Sequence, residues 1–143
     1  MKKFLLLQIL ILTVCLTQAQ RFFYVEANNS TDKPIKEKLM KASQFVTKSP
    51  LMSDYIIKTD INFQTGSNII TLKIILEDSA TFKTIFQAEE ENAFGVININ
   101  SQIFLRMAIE TFIEKNINQI ILSAKNDHSD GLMKFLKPNK DKT

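Results

Sequence analysis

A single cysteine, Cys15, lies inside an apolar run near the start of the chain. With no second thiol the chain cannot close a disulfide on itself, and removal of that run would leave no cysteine nucleophile and no thiolate ligand. Histidine is equally scarce: His128 alone cannot complete a usual zinc site without cysteine or several carboxylates from elsewhere. The three glycines, Gly66, Gly95 and Gly131, are too far apart to form a phosphate-cradling loop. No nucleophile elbow supports a serine triad. Three glycines and three prolines are also too few for a disordered stalk. The sequence therefore names no cofactor, no metal ligand and no catalytic residue.

What is present begins with an address. Lys2 and Lys3 precede the apolar run Phe4 to Leu16, and Thr17-Gln18-Ala19 offers small residues where a signal peptidase reads them. Residues 1-19 are expected to be a secretory signal peptide, since the run is shorter than the ~20 residues that span a bilayer. A second reading makes Cys15 the lipidated first mature residue. Val14 just before it is larger than the residue usual at that place, so anchoring through Cys15 ranks below cleavage after Ala19. Loss of Lys2 and Lys3 lowers the formal charge of +3 by two, which removes the compositional case for a nucleic-acid partner. The expected organisation is a signal at 1-19, a single α/β domain at 20-125 and a polar, basic tail at 126-143, periplasmic or secreted, with no integral membrane segment after cleavage.

The centre of the domain is Asp54 to Glu91, which reads as three antiparallel strands. Tyr55, Ile57, Ile61 and Phe63 alternate with Lys58, Asp60, Asn62 and Gln64, the period of a half-buried strand. Ile70, Leu72, Ile74 and Leu76 form the second inward row, and Phe82, Thr84, Phe86 and Ala88 the third. A four-residue loop at Thr65 to Asn68 pairs Gln64 with Ile69 and so Asp60 with Lys73. A three-residue loop at Asp78 to Ala80 pairs Ile75 with Lys83 and Lys73 with Ile85. On this register the apolar residues of the outer face are flanked by lysines, and only one side of the sheet is buried.

Around this centre, Arg21 to Ala27 reads as a short strand buried on both faces. A helix follows, capped by Thr31 or Asp32, with Pro34 in its first turn, and runs to about Thr47 on the spacing of Ile35, Leu39, Ala42 and Val46. Asn92 to Asn100 is a partly extended connection. A second helix then places Gln102, Arg106, Glu110 and Glu114 on one polar stripe and Phe104, Leu105, Ala108, Ile109, Phe112 and Ile113 on a broad apolar one, with Ile103 and Met107 at the rim. Asn116 is read as its stop, and Ile117 to Ala124 is read as a last strand in preference to further helix, being short and β-branched. The lysines at 134, 137, 140 and 142 suggest a frayed end.

Three local patterns invite chemistry. Asp127-His128-Ser129-Asp130 could serve a small secreted hydrolase, the alternative function; the competing reading is a capping loop that starts a short helix. Glu89-Glu90-Glu91 could collect a cation, but consecutive strand residues point to opposite faces. Asp78-Ser79-Ala80 resembles a short O-glycosylation motif of some bacterial envelope proteins and makes Ser79 a candidate acceptor in a hairpin loop.

The order of elements, with Ser53-Asp54-Tyr55-Ile56-Ile57 opening the meander and Leu76-Glu77-Asp78 before its third strand, resembles the N-terminal α/β domain of TolB and related envelope proteins. The resemblance covers roughly Phe22 to Lys115 and implies a non-enzymatic domain that docks onto envelope partners. The residues alone lead to the same architecture: a two-layer α/β (α+β) sandwich, a mixed sheet containing the meander, and two helices on one face. The expected function is an exported binding or assembly domain of the bacterial cell envelope. Its candidate surface is Ile103 and Met107, and its partner another envelope or secreted protein or a second copy.

Overall fold

The computed structural model describes residues 20–27, 29–64, 69–93 and 101–136. The expected signal with Cys15, the first hairpin loop, the connection 94–100 and residues 137–143 lie outside the described residues. The elements are β1 (Phe22–Glu26), α1 (Asn29–Lys41), β2 (Phe45–Thr47), a 3-10 turn (Pro50–Met52), β3 (Tyr55–Gln64), β4 (Ile69–Asp78), β5 (Thr84–Ala93) and α2 (Ser101–Leu136). They form a five-stranded mixed sheet of order β2-β1-β3-β4-β5. Strands β1, β2 and β3 are parallel, while β4 and β5 extend the sheet as an antiparallel meander. Both helices lie on one face, so the architecture is the expected two-layer sandwich.

The core follows from the strand period. Phe23, Val25, Tyr55, Ile57, Ile70, Leu72, Ile74 and Leu76 are buried against Ile35 and Leu39 of α1 and Ile109, Phe112, Ile113, Ile117, Ile120 and Ala124 of α2. Each fully buried aliphatic or aromatic side chain contributes on the order of 1.5–3 kcal/mol. Thr31 is buried at the start of α1, where its hydroxyl meets that of Thr59 at 2.7 Å and ties the helix to β3.

The first hairpin has the register expected from its turn: Gln64 faces Ile69 and Asp60 faces Lys73. The second does not. Ile75 faces Gln87 and Lys73 faces Glu89, in place of Lys83 and Ile85, with a register shift at Leu76/Glu77. The cause is the turn. The Asp78 carboxylate accepts hydrogen bonds from the Thr81 and Ala80 amides and the Thr81 hydroxyl, and the chain stays in the turn until Thr84. The slip is an even number of residues, so the buried row of β4 keeps its face. Phe82, expected inward, sits in the turn with φ 55° and is exposed, whereas Ile85, expected outward, packs against the core.

Two elements differ from expectation. Helix α1 ends at Lys41, not near Thr47, because Ser43 adopts φ 58° and the Ser43 and Gln44 amides return to the Met40 and Leu39 carbonyls, each at 3.0 Å. This is the Schellman closure, with serine in the position usually held by glycine. Phe45, Val46 and Thr47 then add a parallel edge strand beside β1. The helix also starts earlier than expected: Thr31 bonds Thr59, Asp32 pairs with Lys36, and Pro34 lies inside the helix.

Ile117 to Ala124 is helix, not strand. Asn116, read as a stop, is buried in mid-helix, and its Nδ2 donates to the Phe112 carbonyl at 2.8 Å. Ile117, Ile120, Ile121 and Ala124 continue the buried stripe begun by Ile109, Phe112 and Ile113. The helix also runs through 126–136, which the sequence reading gave to the tail, so no loop at Asp127 to Asp130 starts a new helix.

Candidate functional surface

The open face of the sheet has two characters. Across β3, β4 and β5 it is largely polar, apart from Ile56, Ile69 and Ile75: Lys73 stands in register between Asp60 and Glu89, and Thr71 between Asn62 and Glu91. Lys58 bonds Glu77 at 2.7 Å, a contact that raises the lysine pKa above its ordinary value. Across β1 and β2 it is aromatic. Phe23 points into the core, so Phe22 and Tyr24 take the opposite face, and Phe22 stacks on Phe45 with ring centroids 5.0 Å apart and planes 14° apart.

The starts of β1, β2 and β3, the end of β4 and the start of β5 all lie at one end of the sheet, as their directions require. This end is apolar on its surface. Leu51 is 95% exposed, Met52 73% and Phe82 67%, and Phe22 and Phe45 are each nearly half exposed. The 3-10 turn carrying Leu51 and Met52 lies against β1, and the Asp54 amide behind it donates to the Phe22 carbonyl at 2.8 Å. Acidic groups here are turned onto the backbone. Asp54 Oδ2 accepts the Phe22 amide at 3.0 Å. Burial opposes ionisation of Asp78, yet the hydrogen bonds from Thr81 and Ala80, with Lys83 nearby, hold its pKa below the ordinary value.

Beneath the surface, Tyr55 locks α2 to the sheet. Its hydroxyl donates to the Ala124 carbonyl at 2.9 Å, with Asp127 Oδ2 at 3.3 Å. Burial, reinforced by the Asp127 carboxylate, raises the phenol pKa well above its ordinary value. This is a structural anchor, with the phenol held neutral.

The residues singled out from sequence are dispersed. Ile103 and Met107 are about half exposed on the first turns of α2, far from the Tyr55 end. The Ser79 hydroxyl donates to the Ser53 carbonyl, and its amide to the Asp54 carbonyl at 3.0 Å, so it ties the β4–β5 turn to the start of β3. The glutamate run divides between faces: Glu90 reaches Lys115 of α2 at 2.8 Å, while Glu89 and Glu91 share the open face with Lys73 and Thr71. His128 belongs to the α2 backbone; its side chain lies outside the described residues. A cleft of about 430 Å³ between α1 and α2 is lined by Lys33, Lys38, Lys41, Arg106, Glu110 and Glu114, with Lys38–Glu114 paired at 2.8 Å. Its charges are mixed, and it favours neither sign of ligand. No group of three or more metal-ligating residues occurs among the described residues, and no described helix is long and apolar enough to cross a membrane.

No family model and no curated protein matches the chain. Solved structures do. A Xanthomonas campestris protein of family DUF330 matches at 11% identity over 79% of this chain and 90% of its own, with a TM-score of 0.53. The rare lipoprotein B of Shewanella oneidensis matches at 6% identity over 76% and 98%, with a TM-score of 0.49. A minor lipoprotein of Acinetobacter baumannii matches at 12% identity over 74% and 94%, with a TM-score of 0.47. The likeness to the Xanthomonas protein is one of fold.

Proposed function

We propose that this chain is an exported, non-enzymatic binding or assembly domain of the bacterial cell envelope. The observation that carries the reading is apolar surface left uncovered on a packed domain: α2 buries Ile109, Phe112 and Ile113 yet leaves Ile103 and Met107, in its first two turns, about half exposed. Such side chains stabilise a fold little, and contiguous exposed apolar residues mark interaction sites. The basic and apolar start of the sequence supports export, and either cleavage after Ala19 or lipidation of Cys15 would deliver the domain outside the cytoplasm. The names of the Shewanella and Acinetobacter structures agree with an envelope setting, in which a lipid anchor at Cys15 gains standing. The resemblance of the sequence layout to the N-terminal domain of TolB belongs to the same proposal, with docking onto envelope proteins as its finer form.

The test is cross-linking in intact cells, comparing the native chain with Ile103→Glu and Met107→Glu. The reading expects a cross-linked envelope protein, or a second copy, that both substitutions abolish without loss of fold. A strictly monomeric chain whose cross-linking is unchanged by Ile103→Glu would sink it.

A further inference from the structure

Helix α2 is longer than the sheet it covers, and it crosses that sheet obliquely. Lys115 reaches Glu90 of β5, whereas further on Ala124 accepts the hydroxyl of Tyr55, the first residue of β3. Ala124 is the last α2 residue of the core among the described residues, yet the helix runs on to Leu136. At 1.5 Å per residue, segment 125–136 adds roughly 18 Å of helix past the β1 end, on a line that leads from β3 towards β1 and β2. The local sequence is a poor helix former. Asp127-His128-Ser129-Asp130-Gly131 ranks low in helix propensity, glycine alone costing ~1 kcal/mol against alanine. Helices in proteins gain most of their stability from the apolar stripe they pack. The sequence carries such a stripe forward: Leu132 and Phe135 stand at helical spacing from Ala124, with Met133 and Leu136 beside them. Since the chain's own core stops at Ala124 among the described residues, that stripe calls for a surface from elsewhere.

The same end of the domain offers one. Phe22 and Phe45 stack on the open face across β1 and β2, the turn of Leu51 and Met52 lies against β1, and Phe82 is exposed nearby in the β4–β5 turn. At roughly 200 Å² for a fully exposed large side chain, these five leave on the order of 600 Å² open, close to the ~800 Å² that each partner of a stable interface buries. Asp54 and Asp78 already accept amides and a hydroxyl of this end, so covering it strands neither carboxylate. The helix end and the apolar corner lie on opposite faces of the sheet, and one symmetry element brings them together. A two-fold axis at the β1 end, in the plane of the sheet and across its strands, sets two copies end to end and turns one over. The open face of one copy then continues the helix-covered side of the other. Such an axis keeps the lateral strand order of the two copies aligned, so each segment 125–136 runs out over the β1–β2 corner of the other copy.

We propose that the protein forms a two-fold dimer in which segment 125–136 of α2 packs on Phe22, Phe45, Leu51 and Met52 of a second copy. The contact is made twice, once in each direction, which accounts for an apolar corner and an overhanging helix at the same end of one chain. This goes beyond the proposed function. Ile103 lies roughly 30 Å from Ala124 along α2, so the Ile103–Met107 surface stays open in the dimer.

Sedimentation velocity of the purified protein across a range of concentration tests this. The native chain is expected to dimerise and to dissociate on dilution, leaving a monomer of native fold. Two double variants each alter one side of the contact: Leu51→Glu with Met52→Glu at the corner, and Leu132→Glu with Phe135→Glu on the helix end. Circular dichroism at dilution checks that each remains folded, and Phe135→Ser alone replaces the helix variant if it does not. Either variant by itself should weaken self-association roughly tenfold or more. Their equimolar mixture should recover part of that loss, because a mixed dimer keeps one intact contact, the helix end of the first on the corner of the second. A native chain that stays monomeric at every concentration overturns the proposal, as does a dimer that neither variant weakens. A mixture no better associated than its components also overturns it, as does a dimer lost only on Ile103→Glu. Cross-linking through Ile103 and Met107 in cells is scored separately, so failure of the dimer is distinguishable from failure of the envelope reading.

Discussion

The two halves of the open sheet face solve the same problem in opposite ways. Both belong to one sheet and face away from α1 and α2, although the 3-10 turn lies against β1 and Ile56 on this face of β3 is buried. Across β3, β4 and β5 the face carries Lys58, Asp60, Lys73 and Glu89, with opposite charges in register, as expected of a surface that stays in water. At the β1 end the same layer ends in Phe22 stacked on Phe45, and the adjoining loops add Leu51, Met52 and Phe82. The difference teaches that exposed apolar surface on this domain is local: Phe22, Phe45, Leu51, Met52 and Phe82 gather at the β1 end, while Met40, Phe63, Ile103, Met107 and Leu122 are exposed elsewhere.

If that contrast is right, stability and surface role should separate on substitution. The largest effect is expected in the core beneath the polar half: Leu76→Ala, at a fully buried site, should cost about 2–5 kcal/mol in denaturant unfolding. Tyr55→Phe should cost about 0.5–1.5 kcal/mol, the worth of its hydrogen bond to Ala124. The native phenol keeps its proton more tightly folded than unfolded, so its contribution is fully present below the ordinary pKa of 10.0 and is lost as pH rises through the folded value. Tyr55→Phe should therefore weaken the fall of Tm above that pH.

Smaller effects sharpen the contrast on the open face. Lys73→Glu, which sets a third acid between Asp60 and Glu89, should cost about 0.5–1 kcal/mol, and added salt should reduce the loss. Leu51→Ser should lie within about 0.5 kcal/mol of the native chain, because the side chain is almost wholly exposed. A large loss of stability from Leu51→Ser would mean that the β1 end is part of the core, and the comparison would fail.

How much was legible beforehand depended on whether one signal governed each choice. The inward row Ile70, Leu72, Ile74 and Leu76 and the pairing of Asp60 with Lys73 could be read because the period of the strand and the length of the turn agreed. The second hairpin could not, since the bonds that Asp78 makes to Ala80 and Thr81 lengthen the turn, and a side chain closing a turn on its own backbone leaves no mark on the hydrophobic period. Val46 fits both a helical stripe and a strand; Ser43 decided the matter with a left-handed backbone that serine seldom adopts. Asn116 looked like a stop and is instead satisfied by the Phe112 carbonyl within the helix. Of the candidate surfaces, Ile103 and Met107 were readable from the rim of an amphipathic helix. The β1 end was not, because Phe22, Phe45, Leu51 and Phe82 are distant in sequence and meet only through the parallel strand order.

The most direct test sets the two halves against each other in one set of denaturant unfolding curves: Leu51→Ser at the β1 end against Lys73→Glu, which stands between Asp60 and Glu89. The account predicts that Leu51→Ser stays within about 0.5 kcal/mol of the native chain and that Lys73→Glu loses more, with the loss reduced by salt. A loss at Leu51→Ser larger than that at Lys73→Glu, or a Lys73→Glu loss indifferent to salt, would contradict it.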